Sequence, residues 1–167
     1  MNASELKALQ SPLKEQYRND PASGIVTLTA EGNIDEGISC KVVTGKAIAE
    51  AGLHPATGGT GLQLCSGDML LEALVACAGV TLRAVSTSIG IEISEGKIVA
   101  EGDIDFRGTL GVSKEAPVGF KSIRLSFLLK PALEPEQLAT LTKLTERYCV
   151  VYQTLIKGVD VKTTFSS

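Results

Sequence analysis

The run Met69-Leu70-Leu71-Glu72-Ala73-Leu74-Val75-Ala76-Cys77-Ala78-Gly79-Val80-Thr81-Leu82 constrains the fold of this chain more than any other stretch. It is too long for a typical strand and rich in good helix formers. Ser66 can cap a helix there, and Asp68 in the first turn suits the positive end of the helix dipole. Gly90 offers a left-handed stop. The spacing predicts a helix over residues 67–89. Its first half is apolar nearly all round, so a sheet of the same chain or a partner chain has to enclose it. Asp68, Glu72 and Arg83 interrupt the run, which falls short of the roughly 20 clean apolar residues of a membrane span. The opening Met1-Asn2-Ala3-Ser4-Glu5-Leu6-Lys7 has no apolar signal core, so the expected location is cytoplasmic, with no membrane partner.

The other elements read off by periodicity. Ser11-Pro12 predicts a helix start, with Ser as cap and Pro in the first turn, and Asn19-Asp20-Pro21 ends it. Residues 25–30 and 38–43 predict strands, separated by a turn at Glu31-Gly32-Asn33. The loop His54-Pro55-Ala56-Thr57-Gly58-Gly59-Thr60-Gly61 has glycines but no following Lys-Ser/Thr, so it reads as a connection rather than a phosphate loop. Residues 97–106 predict a strand, with Ile98, Ala100, Gly102, Ile104 and Phe106 on one face. Ile123, Leu125, Phe127 and Leu129 alternate in the same way. Glu134-Pro135-Glu136 opens a last long helix with the stripe Leu138, Leu141, Leu144, Tyr148, Val151 and Leu155. Cys149 falls beside that stripe, Gly158 ends the helix, and residues 159–165 predict a closing strand. Segregated strand groups and helices in this order predict an α+β fold, a single domain over residues 1–167.

Charge and composition exclude several functions. The net charge is −3, and Lys and Arg are scattered. No basic stripe points to nucleic acid, and without Trp a stacking platform for single strands is not expected. Four cysteines, Cys40, Cys65, Cys77 and Cys149, form no C-x-x-C pair, and His54 is the only histidine. Neither a disulfide scaffold nor a metal site is expected, nor any cofactor. Cys40 in a strand and Cys65 before a helix cap read as structural. Cys77 and Cys149 lie on two buried helices far apart in sequence. A two-thiol redox site needs that arrangement, although an ordinary core can also contain it.

Three segments carry a family resemblance: Leu70-Leu71-Glu72-Ala73-Leu74-Val75-Ala76-Cys77, Asp105-Phe106-Arg107-Gly108-Thr109-Leu110-Gly111, and Glu146-Arg147-Tyr148-Cys149. With strands between and after them, the chain resembles the OsmC/Ohr family, named for osmotically induced protein C and organic hydroperoxide resistance protein. The resemblance implies an OsmC-like fold. In that fold, curved antiparallel sheets wrap around two central helices in an intertwined homodimer. It implies a thiol-dependent peroxidase acting on organic hydroperoxides in oxidative or osmotic stress defence. Cys77 would be the peroxidatic thiol and Cys149 the resolving thiol, with a Cys77–Cys149 disulfide reduced by a cellular dithiol.

Such a thiol must ionise. Cys77 lies mid-helix, so no helix N-terminus is expected to help it, and a nearby cation is expected to do so. In the family an Arg from the N-terminal region has this role, held by a Glu shortly before the first cysteine. Arg18 is the matching candidate here, with Arg83 and Arg107 behind it. Gly67 stands ten residues before Cys77, where the Glu would be, with Asp68 next to it. Glu72, five residues before Cys77, points well away from the Cys77 face. This departure keeps a second reading open: a non-catalytic binding protein on the same scaffold, for a small apolar or thiol-reactive ligand.

Overall fold

The computed structural model describes residues 2–20, 31–35, 39–44, 47–111 and 113–166. The first helix, α1 (Ala3–Asn19), begins earlier than Ser11-Pro12 predicts. Asn2 and Glu5 form a reciprocal cap: the Glu5 N–H donates to Asn2 Oδ1 and the Asn2 N–H to Glu5 Oε2, each at 2.9 Å. Those two bonds satisfy orphan donors and set the start. Ser11, inside the helix, donates its hydroxyl to Lys7 O at 2.7 Å instead of capping. The helix does end ahead of Pro21.

Three short antiparallel strands follow in the order β1 (Glu31–Asp35), β2 (Ser39–Thr44) and β3 (Ala47–Gly52). β2 matches the expected second strand. β1 replaces the turn expected at residues 31–33, because Glu31 pairs opposite Val43 and Asp35 opposite Ser39. β3, with its sequence Ala-Ile-Ala-Glu-Ala-Gly, is a poor strand former, yet it pairs along β2 from Ser39↔Gly52 to Thr44↔Ala47. Ladder partners outweigh local propensity in both strands. The strand expected at residues 25–30 lies outside the described residues.

The long apolar run forms α2 (Ser66–Ile89). Cys65, not Ser66, is the capping residue, and its side chain makes no cap bond. At the other end Gly90 takes φ 72°, and Ile91 N–H reaches back to Ser86 O at 2.9 Å. Among the described residues, α2 is the one helix long and apolar enough to cross a membrane. Here its Leu74, Ala78, Leu82 and Val85 are buried against protein.

β4 (Glu95–Ile104) and β5 (Phe120–Lys130) form the antiparallel pair that covers α2. Ile98↔Phe127, Ala100↔Leu125 and Gly102↔Ile123 set the inner face. Glycine is required at 102, since a Cβ there would stand 2.3 Å from the Phe120 ring. Phe106 does not extend β4. Asp105 instead accepts the Arg107 N–H at 3.1 Å and starts a single turn, α3 (Phe106–Thr109).

Glu134 and Gln137 cap α4 (Pro135–Tyr148) in the expected place. The predicted continuous last helix is interrupted, however. Cys149 is extended, at φ −74° and ψ 110°, and a separate helix α5 (Val150–Lys157) follows it. The closing strand expected at residues 159–165 is not formed. No described strand lies beside it to complete a ladder, and Phe165 is 94% exposed.

Two core clusters share Phe127. One contains Leu82, Val85, Ile93 and Leu141. The other contains Leu74, Ala78 and Cys149, packed by Cys77, Ile98, Ile123, Val151 and Tyr152. The second cluster brings the two helix cysteines together.

Candidate active site

Leu74 and Ala78 turn inward toward β4 and β5 and leave Cys77, one position before Ala78, facing α5 and half-buried. Cys149 lies at the junction of α4 and α5 and is 1% exposed. Its N–H donates to Thr145 O at 3.0 Å, closing α4, and its carbonyl accepts the Gln153 N–H at 2.9 Å, opening α5. The first N–H groups of a helix have no partner within it. In α5 these donors meet sulfur. The N–H groups of Val151 and Val150 act to lower the Cys77 thiol, and those of Tyr152 and Val151 act to lower the Cys149 thiol.

The two thiols therefore separate in acidity. Burial pushes the Cys77 thiol up. The N–H groups of Val151 and Val150, the Cys149 S–H and the Thr81 hydroxyl more than offset it, leaving the thiol below its ordinary value. Burial pushes Cys149 up too. There the donors do not prevail, because Cys149 gives its own proton to Cys77 and stands beside the charge that forms there. The arrangement shifts the two thiols in opposite directions, Cys77 toward easier ionisation and Cys149 away from it. These donors are neutral, which corrects the expectation that only a cation could help a mid-helix cysteine. The missing helix N-terminus is supplied by α5.

The other candidates lie elsewhere. Asp68 is exposed in the first turn of α2 and lines a small polar pocket with His54, Cys65 and Asp103. At about 1.5 Å per residue it stands roughly 13 Å along the helix from Cys77. Glu72 is exposed, away from the Cys77 face. Arg83 donates to Ile93 O at 2.6 Å, and Arg107 pairs with Asp105 at 2.5 Å. Arg18 is in the last turn of α1, and its side chain lies outside the described residues. Asn2 and Ala3 share a cleft with Gly90, while Lys14 borders another with Val80 and Thr81. α1 therefore runs antiparallel to α2, and its last turn heads toward the level of Cys77. His54 accepts the Ala56 N–H on Nδ1 at 3.0 Å and stacks on Phe106, which makes it a loop residue. Cys40 lies in β2.

An apolar cleft of about 910 Å³ opens between α2, β5, α4 and α5, with Leu74, Ile123, Phe127, Cys149 and Leu155 in its walls. Thr145 faces it and is 2% exposed, and its hydroxyl has no hydrogen-bond partner among the described residues. Tyr152 lines it too. Burial and the neighbouring Glu146 carboxylate both push its phenol up.

Sequence reasoning missed Thr81, Gln153 and the break itself. The only local signal was the β-branched pair Val150-Val151, a mild weakness in a helix.

The family model described as OsmC-like protein matches residues 59–164. No curated protein matches the sequence significantly. The OsmC-like protein from Mycoplasma pneumoniae superposes with a TM-score of 0.67 at 14% identity, over 80% of this chain and 89% of that one. The organic hydroperoxide resistance protein OsmC from Legionella pneumophila gives 0.63 at 17% identity, over 83% of this chain and 96% of that one. The organic hydroperoxide resistance protein OhrB of Bacillus subtilis gives 0.56 at 22% identity, over 81% and 96%. At such identities the likeness shows the fold.

Proposed function

The chain belongs to the OsmC-like protein family, and from that premise we propose that it is a thiol-dependent peroxidase reducing organic hydroperoxides in stress defence. The observation that carries this reading is the Cys77–Cys149 pair, two thiols packed in one cluster with their acidities shifted in opposite directions. The Cys77 thiolate attacks the hydroperoxide oxygen farther from carbon. An S–O bond forms, the O–O bond breaks, and the departing alkoxide takes a proton to become an alcohol. The resulting sulfenic acid condenses with Cys149: the S–S bond forms, and hydroxide leaves with the Cys149 proton as water. A cellular dithiol then restores both thiols by two exchange steps.

Arg18 assists as the cation near the reacting oxygens. Its support is the antiparallel course of α1 along α2. Glu72, on the solvent side of α2, is the nearer carboxylate to brace it, since Asp68 stands roughly 13 Å along the helix from Cys77. The working unit is a homodimer in a reducing compartment, a reading favoured by the outward side of α2, where Ala73, Ala76 and Val80 are exposed.

One equivalent of cumene hydroperoxide added to the reduced, folded protein tests this reading by peptide mass spectrometry. The expected product is a Cys77–Cys149 peptide pair lighter by two hydrogens. Unchanged thiols would remove the peroxidase reading.

The second reading is a binding protein for a small apolar or thiol-reactive ligand. The apolar cleft with the unpartnered Thr145 hydroxyl favours it, as does Gly67 in place of a bracing carboxylate. It predicts ligand binding with both thiols left intact by the peroxide.

A further inference from the structure

The interruption at Cys149 removes bonds that a continuous helix would contain. In an unbroken helix the carbonyls of Glu146, Arg147 and Tyr148 would accept the N–H groups of Val150, Val151 and Tyr152. The extended Cys149 turns those N–H groups toward the two sulfurs instead. Each abandoned carbonyl then needs another donor or water. For Glu146 the donor is Gln153, whose Nε2 reaches its carbonyl at 2.8 Å. The Gln153 backbone N–H binds Cys149 O at 2.9 Å. One residue thus grips both sides of the break.

Nothing local enforces the break. Tyr148-Cys149-Val150-Val151 has neither Gly nor Pro, so helix could propagate through it at the modest cost of two β-branched residues. In that continuous state the Val150 N–H returns to Glu146 O and both sulfurs lose their backbone donors. A carboxamide that occupies the Glu146 carbonyl competes directly with this closure. The chemistry is selective. Leu offers no donor, and an ionised Glu offers only acceptors.

We infer that Gln153 is a positioning residue that keeps α4 and α5 from fusing and so holds the Val150 and Val151 N–H groups on the Cys77 sulfur. The assignment rests on reading Cys77 as the reactive thiol, but its test needs no turnover.

The test is the pH profile of Cys77 alkylation by iodoacetamide in the reduced full-length chain, read peptide by peptide in wild type, Q153L and Q153E. Thermal melts check that each variant is folded. Q153L is expected to raise the Cys77 midpoint by about one pH unit and to slow its alkylation about tenfold below both midpoints. Q153E, close in shape, is expected to shift it in the same direction and serves if Q153L does not fold. V150P enforces the break by itself, since Pro keeps its predecessor extended. In that background Q153L is expected to add no further shift. A folded Q153L or Q153E with an unchanged Cys77 midpoint overturns the assignment, as does a full shift persisting in V150P. A shifted midpoint without peroxide consumption leaves the assignment standing and removes the peroxidase reading.

Discussion

A sulfur anion among packed side chains persists only where donors replace the water it has lost. At Cys77 those donors are two peptide N–H groups, the Thr81 hydroxyl and the Cys149 thiol. On the proposed peroxidase reading, attack falls to Cys77, the more readily ionised sulfur, and resolution to Cys149. C149S should therefore stop the cycle after one turnover and leave a Cys77 sulfenic acid that dimedone traps, whereas C77S should trap none. The same shift has a stability consequence. Because Cys77 is lowered in the folded state, the unfolded chain binds more protons between the folded midpoint and the ordinary thiol value of about 8.5. Stability from this group is present above that ordinary value and is lost as pH falls through the folded midpoint. Cys149, raised, acts oppositely: its contribution is present below the ordinary value and is lost as pH rises through its own midpoint. Urea titrations carried up to about pH 8.5 should show stability rising with pH above the folded Cys77 midpoint in wild type and a flatter profile in C77A. A steeper C77A profile would contradict the assignment.

At the scale of elements, the α4–α5 junction separates two effects that usually come together: where a helix stops and what its first turn can bind. Pro is well tolerated in the first position of a helix, and Cys149 at ψ 110° already has the extended form a following Pro requires. V150P should therefore preserve the melting temperature within about 2 °C, on the scale of roughly 2–4 °C per kcal/mol for a chain of this size. It should nonetheless raise the Cys77 alkylation midpoint, because one N–H has gone. An unmoved midpoint would show that the first turn of α5 does not hold the Cys77 sulfur. The sheet faces follow a simpler rule. The alternation of Ile123, Leu125, Phe127 and Leu129 was plain in the sequence, and these are the inward positions of β5. β1 and β3 were not legible, because their stability comes from pairing with β2 and not from their own residues.

For the whole molecule, the apolar girth of α2 exceeds what the described residues cover. β4, α4 and α5 bury one side, while Val80 remains 73% exposed on the other. Burying apolar surface is worth about 25 cal/mol per Å², which favours a second copy there. Sedimentation at micromolar concentration should give twice the 17.5 kDa of one chain, and V80D should shift it toward the monomer. A monomeric wild-type protein would remove the dimer reading. Residues 159–165 fit the same reading: their alternation suits a strand, and within the described residues that strand has no partner.

What the sequence determined by itself was local: the helical run over residues 67–89 with its stop at Gly90, the Pro135 start, the alternating faces of β4 and β5, and a cysteine inside α2. Periodicity, caps and left-handed glycines act within a few residues, so they can be read along the chain. Only the tertiary structure decided that Cys77 and Cys149 meet, that the last helix breaks between them, and that Gln153 and the first turn of α5 take up the freed bonds. A break in a helix without Gly or Pro is held by partners from other turns and another helix. Its free energy resides in contacts between residues remote in sequence, and no local pattern records them.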